Sequence, residues 1–364
     1  MKKVLIVMLI AILAIGSFDF FSGYSILDRY HTYVNFKDDN DYMYHYQKLS
    51  DSQKNDYQRM FYAIKHQVSS VYIENNNIDD VEKIYMDILY DHPELFYVES
   101  QFEYTLYDNG MDFSPVIIYT EDEIKNYENL IYQTVSTITS SVKGMSQIEQ
   151  LKYVYDYLAK NITYQENEND QNIISTFINH QSVCAGYAKS YQYILNSLGY
   201  DVSYIVGNTK ESHDQNEKNT AHAWDMIHIN GDYYYIDPTW GDVEAMNPHT
   251  CYGYFLMNSD DMLASYTPTT DYEKTVNNQI NYYSMMNCYY DKDDNQIIQN
   301  AIALAKENQT VVEIKCSDES TYNQLLYKIE NTPVIYELLK KQGITTSQAK
   351  YSCDEGIHLI EIYY

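Results

Sequence analysis

The spacing of apolar residues predicts a helix near the middle of the chain that begins close to a cysteine. Apolar side chains recur at helical spacing over this stretch: Ala188, Tyr191, Leu195 and Leu198. Gly199 is a typical stop signal, and Ser182 is the expected N-cap. Cys184 then lies in the first turn, where unpaired N–H groups and the helix dipole favour a thiolate. This position therefore suits a nucleophile.

Two apolar-rich runs flank Asn230-Gly231, a dipeptide that is a strong signal for a two-residue hairpin turn. In the absence of a bulge, that loop length predicts two cross-strand pairs: Trp224 with Asp237, and His222 with Thr239. Strand side chains alternate between faces, so His222 and Asp237 become diagonal neighbours on one face. A carboxylate there can orient the imidazole, and the imidazole can activate a thiol.

The remaining pattern predicts further helices and strands on both sides of this centre. Helices are expected over residues 51–66, 79–92, 121–142, 146–161, 296–306 and 321–329. Strands are expected over residues 101–107, 116–119, 254–257, 310–316 and 357–363. Residues 259–279 read as a boundary region. Residues 208–220 lack large apolar side chains, and we expect them to form a mobile loop that contacts substrate.

Four motifs mark the central part. They are Cys-Ala-Gly-Tyr-Ala at Cys184, the step from Leu198-Gly199 to Val206-Gly207, His222-Ala-Trp, and Tyr235-Ile-Asp-Pro-Thr-Trp. Together they resemble the transglutaminase-like superfamily, which shares the papain-type arrangement of Cys, His and Asp, and the resemblance covers roughly residues 147–242. It implies that Cys184 is the nucleophile, that His222 is the general base and acid, and that Asp237 orients the histidine.

The fold class that the resemblance implies is α+β, with a transglutaminase-like (papain-like) catalytic core. A mainly helical N-terminal region and a small α/β C-terminal domain are expected beside it. The predicted divisions are a signal peptide or membrane anchor at 1–22, an N-terminal α+β region at 23–120, the catalytic domain at 121–270 and the C-terminal domain at 271–364.

The activity implied is that of a cysteine-dependent acyl-transfer enzyme acting on protein amides outside the cytoplasm. A peptidase or amide hydrolase is favoured over a transglutaminase, because water is the most abundant acceptor. The N–H of Cys184 is one expected oxyanion donor, and Gln181 or Trp240 is expected to supply the second. Trp224 lies on the His222 face, where it could contact substrate, shield the cleft or simply pack.

Two other functions are possible for a sequence with these motifs. A catalytically silent module of the same fold could bind cell-surface protein or glycan, but a binder has no need of a complete Cys, His and Asp set. A disulfide-exchange protein is disfavoured because the sequence contains no Cys-x-x-Cys.

Neither a metal nor a cofactor is expected in the reaction. A zinc site at Cys184 fits poorly, because no second Cys or His lies at short ligand spacing, and His249-Thr250-Cys251 is the nearest alternative cluster. No acidic loop of calcium-binding pattern occurs. The other cysteines are Cys251, Cys288, Cys316 and Cys353. They allow three disulfide pairings, although we expect mostly free, buried thiols.

Charge and the N-terminal segment restrict the partners and the location. Lys and Arg total 24 against 52 Asp and Glu, so the net charge is −28, which disfavours nucleic acid and anionic lipid headgroups. Met1-Lys2-Lys3 precedes the apolar run 4–15, the pattern of a signal peptide. Cleaved or retained as an anchor, it predicts a secreted or cell-surface protein with protein or peptide substrates there.

Overall fold

The computed structural model describes residues 43–210, 221–243, 249–275, 280–308 and 311–364. The chain forms two compact units, which divide between Asn126 and Tyr127. The predicted signal segment and residues 211–220 of the predicted loop lie outside the described residues. None of the described helices is long and apolar enough to span a bilayer. The domain boundaries after residues 120 and 270 remain predictions.

The first unit combines short helices with a three-stranded antiparallel sheet. The helices are α1 (Tyr44–Lys48), α2 (Asp51–Lys65) and α3 (Ile78–Asp91), and the strands are β1 (Val71–Ile73), β2 (Val98–Tyr107) and β3 (Gly110–Ile117) in the order β1-β3-β2. Ser50 caps α2 through a capping box with Gln53, and Asn77 caps α3. Both predicted helices are confirmed, while the strands are longer than predicted.

The second unit is built around a four-stranded sheet. Its helices are α4 (Glu121–Ser141, which begins ahead of the division), α5 (Gln147–Asn161), α6 (Cys184–Ser197), α7 (Pro238–Gly241) and α8 (Ser259–Ser265), with a π-helical turn at Ser175–Asn179. Its strands are β4 (Thr163–Tyr164), β5 (Gln181–Ser182), β6 (Asp201–Thr209), β7 (Ala221–Ile229), β8 (Asp232–Ile236), β9 (Asp242–Val243), β10 (His249–Thr250) and β11 (Tyr266–Pro268). The order in the main sheet is β11-β6-β7-β8, and α6 packs against β6 and β7.

One prediction for the segment after α7 is wrong. Residues 254–257 do not form a strand; only an isolated bridge joins Met257 to Tyr235, and Leu256 has a φ of 58°. Residues 259–279, the expected boundary region, contain the unpredicted elements α8 and β11, and β11 pairs with β6. A strand of three residues is too short to produce a periodic signal, so the sequence did not indicate it.

The C-terminal part has the predicted α/β character. Its elements are α9 (Tyr282–Met285), β12 (Tyr289–Tyr290), α10 (Asn295–Asn308), β13 (Val312–Cys316), α11 (Glu319–Asn331), α12 (Val334–Lys341), β14 (Lys350–Asp354) and β15 (Leu359–Tyr363). The sheet order is β12-β13-β15-β14, with only the β12–β13 pair parallel. The sequence analysis missed α12 and β14.

All five cysteines lie in the described ranges, and all are free thiols. Three of them are buried: Cys251, Cys288 and Cys316. Cys353 is exposed and Cys184 is partly exposed. The expectation of mostly free, buried thiols is therefore confirmed.

Candidate active site

Cys184 is the first residue of α6, in the first turn as predicted. The N-cap is Val183, in an extended conformation and without a side-chain acceptor. The prediction that Ser182 caps the helix is wrong, because Ser182 belongs to β5 and its hydroxyl is bonded elsewhere. A helix start without a capping side chain keeps its amide groups available, and their partial positive charge favours an anion at Cys184.

Gly186 brings the start of α6 close to the chain segment before it. Ser175 Oγ and Ser182 Oγ lie 2.6 Å apart, and Ser182 Oγ donates to the carbonyl of Asp170 at 3.2 Å. A Cβ at Gly186 would lie 1.9 Å from Ser182 Oγ and 2.8 Å from Ser175 Oγ. Only glycine therefore fits two positions after the cysteine, which gives a physical reason for the Cys-Ala-Gly motif.

The β7–β8 hairpin has the predicted turn. Asn230 and Gly231 have φ values of 53° and 86°, as a type I′ turn requires. The predicted register is confirmed from the turn as far as the pair Asp225–Ile236.

The two outer pairs of the predicted register, Trp224–Asp237 and His222–Thr239, are absent from this ladder. The strand ends at Ile236, since the Asp237 N–H turns to the carbonyl of Tyr254 at 2.9 Å. Thr239 then lies in α7. The expected proximity of His222 and Asp237 nevertheless occurs.

Asp237 holds the histidine and the start of α7 with separate oxygens. Its Oδ1 accepts the N–H groups of Thr239 at 2.9 Å and Trp240 at 3.4 Å, as an N-cap does. Its Oδ2 lies 2.6 Å from His222 Nε2 and accepts the hydroxyl of Tyr266 at 2.7 Å. Asp237 is fully buried, so these bonds replace the water that an exposed carboxylate would bind.

Tyr266 is a component of the site that the sequence analysis missed. It opens β11, and its ring lies 5.5 Å from the His222 ring at an interplanar angle of 14°. Burial first, and then the charge of Asp237, raises the pKa of Tyr266 well above its ordinary value, so it stays a donor. No motif marks this tyrosine among the 43 in the chain.

His222 is buried and strongly basic. Burial alone would lower its pKa, but the charge and hydrogen bond of Asp237, together with a hydrogen bond and the charge of Cys184, raise the pKa to about 10. Because Nε2 faces Asp237, Nδ1 is the ring nitrogen left for Cys184. Cys184 and Asp237 thus both act on the His222 ring, and an imidazolium there can stabilise a thiolate.

Aromatic rings enclose the imidazole. Trp224 is completely buried and stacks on Tyr266 with 4.6 Å between ring centroids, so it shields His222 rather than lining a surface open to substrate. Trp240 is partly exposed, with its ring 5.6 Å from that of His222. Gln181 is partly exposed in β5. The oxyanion roles of Trp240 and Gln181 remain predictions.

The described part of the chain contains a group of potential metal ligands that is separate in its residues from this site. His249, Glu313 and Glu361 have ligand atoms within 4.8 Å of one another, in a group that contains none of the residues Cys184, His222 and Asp237.

Comparison with known proteins identifies the fold of the central segment. Residues 133–238 match the family model described as the transglutaminase-like superfamily. No curated protein matches the sequence significantly.

Solved structures show only remote overlap. A structure described as a TGase has 12% identity and a TM-score of 0.28, and the match covers 47% of this chain and 50% of that one. The periplasmic domain of TgpA from Pseudomonas aeruginosa, bound to ethylmercury, has 12% identity and a TM-score of 0.25, with coverage of 37% and 59%. The chain thus spans about half of the former and under two thirds of the latter. Overlap of this kind defines no shared activity. The residues that match the family model span the positions of Cys184, His222 and Asp237. The segment that holds the candidate site is therefore similar to the transglutaminase-like superfamily over residues 133–238.

Proposed function

We propose that this protein is a cysteine-dependent acyl-transfer enzyme that acts on amides of proteins or peptides, with hydrolysis as its main reaction. The observation that carries the proposal is that Asp237 lies 2.6 Å from the His222 ring while Cys184 acts on the same ring and raises its pKa. Cys184 is partly exposed at a helix start, while His222 and Asp237 are buried. A nucleophile open to substrate with a shielded, oriented base behind it suits covalent catalysis.

The reaction begins with the thiolate–imidazolium pair. Cys184 Sγ attacks the amide carbonyl carbon and forms a C–S bond, and the backbone N–H of Cys184 stabilises the oxyanion. His222 then donates its Nδ1 proton to the leaving nitrogen as the C–N bond breaks. The products of this half are a free amine and an acyl thioester on Cys184.

The second half regenerates the enzyme. Neutral His222 takes a proton at Nδ1 from water, and the oxygen attacks the thioester carbon. The C–S bond breaks, so a carboxylic acid leaves and the thiolate–imidazolium pair returns. Throughout, His222 Nε2–H stays on Asp237, which fixes the ring orientation. A primary amine in place of water would give a transglutaminase product.

Alkylation of Cys184 with iodoacetamide across pH, followed by mapping of the labelled sites, tests the activated pair. Wild type is compared with His222→Ala and, as a control, with His228→Ala. His228 lies in the same strand as His222, and its side chain pairs with that of Asp201. Exposed Cys353 serves as an internal reference for an ordinary thiol.

We expect Cys184 to react faster than Cys353 near neutral pH, and only His222→Ala should remove this advantage. Equal rates for the two thiols in wild type would contradict catalysis and favour a module that binds cell-surface protein or glycan. Mass analysis of a peptide amide incubated with and without a primary amine then separates hydrolysis from transfer.

The proposed location is outside the cytoplasm, at the cell surface or secreted. The support is the basic start and apolar run of residues 1–15. Expression of the full chain with its own N-terminal segment, followed by fractionation and N-terminal sequencing, tests both export and cleavage. Recovery only from the cytoplasm with an intact N-terminus would contradict this part of the proposal.

A further inference from the structure

Two glutamates face each other in the C-terminal sheet. Glu313 of β13 and Glu361 of β15 are direct partners in the antiparallel ladder, so their side chains project from the same face. His249 Nε2 lies 2.9 Å from Glu361 Oε1, and these two side chains are only 2% and 14% exposed. One nitrogen and two carboxylate oxygens thus converge within 4.8 Å in a place poor in water.

This juxtaposition of two carboxylates costs free energy when no cation lies between them. Like charges directly opposite on neighbouring strands are destabilising. Burial, followed by the charge of Glu361, raises the pKa of Glu313 to about 7, against the lowering effect of His249. A divalent cation between the carboxylates would remove the repulsion.

Both carboxylates are held in place by donors outside the cluster. Glu313 accepts the N–H of Tyr252 at 3.2 Å and the hydroxyl of Tyr283 at 3.1 Å. Glu361 Oε2 accepts the hydroxyls of Ser352 at 2.7 Å and Tyr363 at 2.9 Å. Metal-binding carboxylates are commonly oriented by such an outer set of hydrogen bonds.

We propose that His249, Glu313 and Glu361 bind a divalent transition-metal ion, with zinc as the best fit. Zinc takes imidazole nitrogen and carboxylate oxygen at about 2.0–2.2 Å, so its ligand atoms lie about 3.5 Å apart. The three ligand atoms now lie within 4.8 Å of one another, so small side-chain movements would bring them to this spacing. These three side chains are the protein ligands, and a water molecule would take the fourth position.

The ion would connect the C-terminal sheet to the segment that follows the catalytic aspartate. The Cys251 N–H donates to the carbonyl of Gly241 at 3.0 Å, and the hydroxyl of Tyr155 donates to the carbonyl of Cys251 at 2.8 Å. Thr250 pairs with Asp242 in the β9–β10 ladder. The role is therefore structural, and it does not depend on the proposed enzymatic function.

Calorimetric titration of the chelator-treated full chain with Zn²⁺ tests the site. All proteins carry Cys184→Ala, because the thiol next to His222 would otherwise compete for zinc. The parent is compared with His249→Ala, with the nearly isosteric Glu313→Gln, and with His228→Ala as a histidine control whose carboxylate neighbour is Asp201. Circular dichroism establishes that each variant is folded, and Glu361→Gln replaces any variant that is not.

We expect one zinc ion per chain, at least tenfold weaker binding in His249→Ala and Glu313→Gln, and unchanged binding in His228→Ala. Zinc should raise the unfolding temperature of the parent but not of the cluster variants. Absence of saturable binding in the parent, or equal affinity in the cluster variants, would overturn the site.

Discussion

Asp237 accepts four hydrogen bonds with two carboxylate oxygens, and each bond orders a different part of the site. One oxygen starts α7, and the other holds His222 and Tyr266. A substitution that keeps the first function and removes the second can therefore be designed. Asparagine does so, since its oxygen can still cap the helix while the negative charge beside the imidazole is lost.

The His222–Asp237 pair should make stability depend on pH. The pKa of His222 is about 10 in the folded protein, above the ordinary value of 6.5. The stabilisation of the folded protein by this pair is thus fully present below about pH 6.5, and it is lost as the pH rises through about 10. We expect the difference in unfolding free energy between wild type and Asp237→Asn to shrink over this range in urea titrations. A difference that is constant from pH 6.5 to 10 would contradict the assignment.

Tyr266→Phe should affect both stability and reactivity. The substitution removes one donor to a buried carboxylate, which should lower the free energy of unfolding by about 1.5–3 kcal/mol. Asp237 Oδ2 then keeps only its bond to the imidazole. Slower alkylation of Cys184 is expected because His222 is then less firmly oriented. Urea unfolding and the pH profile of alkylation measure the two effects.

Tyr57→Phe is the matched control for this experiment. The Tyr57 hydroxyl donates to buried Asp91 at 3.0 Å in the first unit. The Tyr57→Phe variant should therefore lose a similar amount of stability without a change in the alkylation rate of Cys184. Equal alkylation profiles in the two variants and wild type would show that Tyr266 does not position the pair.

The shortest strand of the main sheet, β11, completes the candidate site. It carries Tyr266 and pairs with β6, where Gly207 lies opposite Pro268 on one side and His222 on the other. A Cβ at Gly207 would lie 2.3 Å from the carbonyl oxygen of Thr267 and 2.8 Å from the ring of Trp224. Close strand approach and aromatic packing both require this glycine.

Gly207→Ala should therefore push β11 away from β6. We expect a loss of about 1–3 kcal/mol from overpacking, together with slower alkylation of Cys184 as Tyr266 moves from Asp237. Thermal unfolding and the labelling rate are the measurements. Gly356→Ala is the control, because its nearest neighbour would be a side-chain oxygen at 3.3 Å. Equal effects of both substitutions would argue against the close approach.

Across the whole molecule, carboxylates outnumber basic side chains by more than two to one. Mutual repulsion between them opposes the compact state, and salt screens it over about 10 Å at 0.1 M. We expect the unfolding temperature to rise by a few degrees between about 0.01 and 0.3 M NaCl. KCl should act equally, since screening does not depend on the identity of the ion. A fall with salt in both series would indicate that favourable ion pairs dominate instead.

The sequence by itself determined the features that depend on neighbours along the chain. The turn at Asn230-Gly231, the stop at Gly199 and the register of β7 with β8 follow from backbone preferences and side-chain period. The position of Cys184 in the first turn of α6 was also predicted, although the N-cap residue was not.

Only the tertiary structure decided which distant residues meet. Asp237 leaves the hairpin register because Tyr254 takes its N–H, and Tyr266 reaches it from a strand too short to give a pattern. Glu313 and Glu361 are separated by 47 residues in the sequence, and they face each other because β13 and β15 pair. Such contacts are set by packing and by the need to pair buried polar groups, and neither is encoded in local periodicity.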